Sequence, residues 1–94
     1  MSAVSEKMPI FASETQHYIF MSKEQKDKLT YIVYCISMFG ERFSLPSKQA
    51  FSYLKRYGGL AFIDECYAAE HTLSLDDAVA DMAAVCKRNG GGLI

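Results

Sequence analysis

The stretch ECYAAEHTLSLDD, residues 65–77, gathers the side chains best equipped for chemistry: Glu65, Cys66, Glu70, His71, Asp76 and Asp77. Acid–base catalysis, thiol nucleophilicity and metal binding all draw on these residue types. Each chemistry also has a geometric requirement. Catalytic carboxylates must converge, yet helical neighbours such as Asp76 and Asp77 point about 100° apart. A thiol enzyme needs a cysteine, a histidine and an orienting group together. The other histidine, His17, lies in a distant N-terminal stretch. Cys66 precedes His71 by five positions, out of register with a helical turn of about 3.6 residues. No CxxC, HxxxH or HExxH occurs, and no Walker, GxGxxG or GxSxG motif. NGGGLI is glycine-rich but is expected to close a helix rather than open one onto a phosphate. The expectation is therefore no enzyme, no catalytic residue, no metal and no cofactor.

A structural reading accounts for the same residues. Ser74 is placed to cap a helix, with Asp76 and Asp77 in its first turn, where carboxylates gain about 0.3–1 kcal/mol from the helix dipole. His71 falls at the end of the preceding helix, where it can bond the last free carbonyls. The stretch reads as the joint between two helices.

The elements around that joint follow from apolar spacing. Ser22 with Gln25 forms a capping-box pattern. Leu29, Ile32, Val33, Ile36, Phe39 and Phe43 then recur every three or four residues, and Tyr31, Tyr34, Cys35 and Met38 fill the other side. A helix apolar on nearly all sides is expected to be buried on nearly all sides. Gly40 and Pro46 are expected to break it. A second helix, SKQAFSYLKRY, puts Ala50, Phe51, Leu54 and Tyr57 on one face, and Gly58-Gly59 stops it. LAFIDECYAAE makes a third, with Leu60, Ile63, Cys66 and Tyr67 inward. The fourth carries Leu75, Ala78, Val79, Met82 and Cys86 as its buried stripe, with Lys87 and Arg88 at its C-terminal end. The first twenty residues lack a sustained period. They are expected to form a loosely attached arm over residues 1–21, in which HYIFM could make a short strand or an apolar clip; MSKEQKDK from Met21 reads like a natural start. The fold class is thus all-α: a compact four-helix domain over residues 22–94.

Ninety-four residues allow a single domain. Half of them are apolar and 13% aromatic, too rich for a disordered chain. A net charge of −1 argues against wholesale nucleic-acid binding. Cys35, Cys66 and Cys86, odd in number and widely spaced, point to a reducing, cytoplasmic setting rather than a disulfide scaffold. No stretch approaches the roughly 18 apolar residues of a membrane span, and no signal-peptide core is expected.

Aromatic side chains in excess of what a thin core can hold favour contact with another protein. The surface expected to carry it combines Tyr31, Tyr34, Tyr53 and Tyr57 with Lys55, Arg56 and His71. On this reading the chain is a non-enzymatic protein-interaction module that pairs with a protein partner or as a homodimer. A DNA-binding regulator using the helix around residues 47–57 is the alternative. Its would-be recognition helix, however, carries Asp64, Glu65 and Glu70 and no Lys or Arg, which repels phosphate.

From KLTYIVYCISMFGERF through the helix ending in Tyr57-Gly58, then Cys66-Tyr67 with His71-Thr72 before a last helix, the sequence resembles the small proteins grouped as domain of unknown function 3791. The likeness covers Lys28 to about Gly91. It departs in the order of Pro46 and Ser47 and in the N-terminal arm. The resemblance implies a short cytoplasmic protein of host-associated bacteria. It implies, too, a gene beside another small gene, sometimes one resembling ADP-ribosyltransferases. On that footing the interaction module would be an accessory or antitoxin-like one that occludes its neighbour's product.

Overall fold

Ser22 opens the first helix through reciprocal bonds: Gln25 N donates to Ser22 Oγ at 3.1 Å, and Ser22 N donates to Gln25 Oε1 at 3.0 Å. The computed structural model of the chain describes residues 21–93; the expected arm, Met21 apart, lies outside them. Helix α1 spans Lys23–Phe43. It runs through Gly40 instead of stopping there. A Cβ on Gly40 would come within 2.7 Å of the Leu45 carbonyl oxygen, so the glycine permits a close approach of the returning chain. The helix ends at Ser44, which adopts a left-handed φ of 57°.

Helix α2 spans Ser47–Arg56. Gly58 then takes a φ of 85°, a backbone that disfavours a Cβ, and α3 starts at once over Gly59–Glu65. The single third helix expected from LAFIDECYAAE is instead two. Cys66, at φ −102° and ψ 19°, leaves helical geometry, and a one-turn α4 follows over Tyr67–Glu70. Neither Gly nor Pro marks this break; packing redirects the chain, and the redirection buries Glu70. Helix α5 spans Leu75–Arg88, capped by Ser74 Oγ, which accepts from Asp77 N at 3.0 Å. The all-α, four-helix expectation holds, with α4 added as a short turn; no strand occurs among the described residues.

Cys35 and Phe39 of α1, Ala50 and Leu54 of α2, Ile63 of α3, and Ala78, Met82 and Cys86 of α5 are fully buried and form the core. Each large apolar side chain so buried contributes about 1.5–3 kcal/mol. Tyr53 stacks on Phe39 at 5.8 Å, and Asn89 Nδ2 donates to the Tyr57 carbonyl at 2.8 Å, tying the end of α5 to α2. No helix among the described residues is long and apolar enough to cross a membrane.

Candidate functional site

One expectation about α1 is overturned. The helix is not buried on nearly all sides. Only Cys35, Phe39 and Gly40 are buried, while Leu29 is 43% and Val33 51% exposed. Phe51 of α2, expected on the inward face, is 44% exposed. These three side chains converge. Together with Ile32 and Ile36 of α1 and Leu60 of α3 they line a groove of about 490 Å³. Ala61 and Asp64, the latter a carboxylate, complete its lining. Lys28 reaches that carboxylate at 2.7 Å, bridging α1 and α3. An exposed pair of this kind adds little stability, about 0–1 kcal/mol. A contiguous apolar surface, by contrast, is uncommon on a finished exterior and marks contact sites.

The joint between α3 and α5 has a different chemistry. His71 Nδ1 lies 2.7 Å from the Tyr67 carbonyl oxygen, so its Nδ1–H tautomer donates to the carbonyl of the first residue of α4, which also accepts from His71 N at 3.0 Å. The ring stacks on Tyr67 at 4.4 Å and 13°, and Tyr31 meets Tyr67 edge-on at 5.4 Å. The Tyr31 hydroxyl donates to the Glu70 carbonyl at 3.0 Å; burial, then its contact with Cys35, pushes that phenol up. Asp76 and Asp77 occupy the first turn of α5 and Lys87 and Arg88 its last. The helix-end positions expected of Asp76, Asp77, Lys87 and Arg88 are seen directly, whereas His71 bonds a carbonyl that is already paired rather than a free one. Among the described residues no three of His, Cys, Asp or Glu converge as a metal ion would require.

Glu70 is the surprise. Although it is a carboxylic acid, it is only 7% exposed, and its Oε1 has no hydrogen-bond partner. Burial raises its pKa above the usual carboxylate range, and the neighbouring Asp81 raises it further, with a smaller push from Asp77. It lines a small hollow of about 260 Å³ with Asp81, Arg88 and Phe62. Nothing in the local sequence announces this burial, because it follows from the break at Cys66.

The tyrosine-centred surface expected from the sequence is divided by the fold. Tyr31 and His71 sit together, ring centroids 6.4 Å apart. Tyr53 and Tyr57 form a second pair at 4.8 Å, with the Arg56 guanidinium 5.5 Å from the Tyr57 ring. Tyr53 packs on Phe39, eight residues along α1 from Tyr31, or about 12 Å at the helical rise. Tyr34 stands apart, 58% exposed and about 140° around the helix from Leu29. Of the set, Lys55 comes nearest the groove in register, one turn beyond Phe51 on α2. The groove itself was hidden in the sequence because its residues look like core.

These features define the class: a small all-α domain with a sealed core on one flank of α1 and an open apolar groove on the other. A family model described as "Protein of unknown function (DUF3791)" matches residues 30–89, and the chain belongs to that family. No curated protein and no solved structure matches it.

Proposed function

We propose that this chain is a non-enzymatic protein-interaction module whose working surface is the groove between α1, α2 and α3, and that the groove receives one amphipathic helix of a protein partner. The observation that carries this reading is the clustering of Leu29, Val33 and Phe51, each more than two-fifths exposed, around one hollow. A helix presenting apolar side chains at three- and four-residue spacing fits such a groove and covers it. Asp64 in its lining supplies a polar group to set orientation. A module of this kind would suit an accessory or antitoxin-like role, in which the bound partner's surface is masked. The three free cysteines accord with a reducing, cytoplasmic setting.

The test is association of the full chain, with itself or with a co-expressed partner, read by size-exclusion chromatography with light scattering. Val33→Glu and Phe51→Glu should keep the wild-type helix content and weaken association more than about tenfold, since each places a charge in an apolar contact. Tyr34→Glu, on another side of α1, should change nothing. Association unaffected by both groove substitutions would remove the reading. Retention on heparin that collapses with modest salt and depends on Lys48, Lys55 and Arg56 would instead favour the DNA-binding alternative.

A further inference from the structure

Glu70 has the burial of a core residue and the chemistry of a surface one. It is 7% exposed, and its Oε1 accepts no hydrogen bond. Asp81 and Asp77 of α5 stand close enough to act on it as like charges. Among the described residues no Lys or Arg comes within ion-pairing distance of these acids. A carboxylate buried without a cation is costly, so its charge is either lost to a proton or matched from outside. A proton needs no room. Yet Glu70, together with Asp81, lines a hollow of about 260 Å³. Phe62 of α3 and Ala84 and Val85 of α5 supply apolar walls, suited to methylene groups. Arg88 completes the lining, seven residues beyond Asp81, or about 10 Å along α5 at the helical rise. A metal ion does not fit, since no three His, Cys, Asp or Glu converge among the described residues. What fits acids beside short apolar walls is a cation carried on an alkyl stem.

We propose that this hollow is a binding site for a primary alkylammonium group. The head lies between the Glu70 and Asp81 carboxylates, and the stem runs against Phe62, Ala84 and Val85. The last torsion of a glutamate side chain is broad, so a turn of the carboxylate offers the unpaired Oε1 to the ammonium, which has three hydrogens to donate. A lysine side chain and a small free amine share this chemistry. The hollow has no lining residue in common with the groove between α1, α2 and α3, so it stands or falls separately from the reading of that groove.

The test is an NMR titration of the full chain with n-butylammonium chloride at about pH 8, where an alkylamine keeps its charge. Sodium chloride at matched ionic strength and neutral n-butanol are the controls. The amide signals of Glu70, Asp81, Ala84 and Val85 should move along a saturating curve with butylammonium and with neither control. Glu70→Gln keeps the shape and removes the charge; it should weaken binding at least about tenfold, and Asp81→Asn by a similar factor. Arg88→Gln should bind as tightly as the wild type or more so. Circular dichroism checks that each variant keeps the wild-type helix content. N-acetyl-lysine methylamide then separates the two sources. Tighter binding than butylammonium assigns the site to a lysine of another protein, and weaker binding assigns it to a free amine; both support the site. No saturating shift in the wild type, equal shifts with butanol, or unchanged affinity in either Glu70→Gln or Asp81→Asn would each overturn it. So would an Arg88→Gln variant that loses binding as far as Glu70→Gln does, because the hollow would then be reading an anion.

Discussion

The two apolar flanks of α1 have nearly the same composition and opposite fates. Cys35 and Phe39 are fully buried against α2 and α5; Leu29 and Val33, six and two residues before Cys35, are about half exposed. The difference lies in what packs against each flank. The buried one meets Leu54, Met82 and Cys86. The other meets α3, a helix of only seven residues, which leaves the groove open above it. Hydrophobic periodicity locates faces that avoid water, but it does not say whether this chain or another will cover them.

That contrast can be broken most directly at Phe39. Phe39→Ala should cost about 3–5 kcal/mol in urea unfolding, most of the stability of a domain this small; a loss below about 1 kcal/mol would mean the core flank is no better sealed than the groove. Gly40→Ala comes next. Its Cβ would press on the Leu45 carbonyl, which is backbone and cannot swing aside. The expected loss is about 1–3 kcal/mol, seen as a lower thermal midpoint.

Glu70 sharpens the edge between the flanks, since its backbone carbonyl receives the Tyr31 hydroxyl. Its folded-state pKa is raised by burial and by Asp81. The folded state therefore holds a proton at pH values where the unfolded chain has released it. Stability should fall as pH climbs from the ordinary carboxyl range through the raised value, then level off. Glu70→Gln should flatten that dependence and, above the raised value, stabilise the fold by about 1 kcal/mol. Chemical unfolding at several pH values checks it, and an unchanged slope would show that Glu70 is not the group responsible. The smallest effect belongs to the open flank. In dilute, monomeric protein Val33→Ser should alter stability by less than about 0.5 kcal/mol, so a large loss would place Val33 in the core after all.

Much of this architecture was legible where the cause is local. Ser22 with Gln25, Ser74 with Asp77, and Gly58 mark their helix ends through bonds and dihedrals confined to a few residues. The α5 stripe of Ala78, Val79, Met82 and Cys86 was readable because polar residues flank it and leave one choice of face. The flank of α1 that stays open was not readable, because both flanks are apolar and the decision depends on where α3 lands. Phe51 was misplaced for the same reason. The break at Cys66 and the burial of Glu70 were hidden too, since no glycine or proline forces the chain to turn there. His71 was legible as a helix-end residue, but the carbonyl it bonds, that of Tyr67, is already paired with His71 N rather than free.

The cysteines carry a practical consequence. Cys35 and Cys86 are fully buried, and desolvation raises both thiols above their ordinary value, the contact with Tyr31 partly offsetting the rise at Cys35 and that with Gly59 partly offsetting it at Cys86. An alkylating reagent should label the half-buried Cys66 first and reach the other two only when the helices separate. The slow labelling of those two thiols is thus a built-in clock for how often the whole domain comes apart.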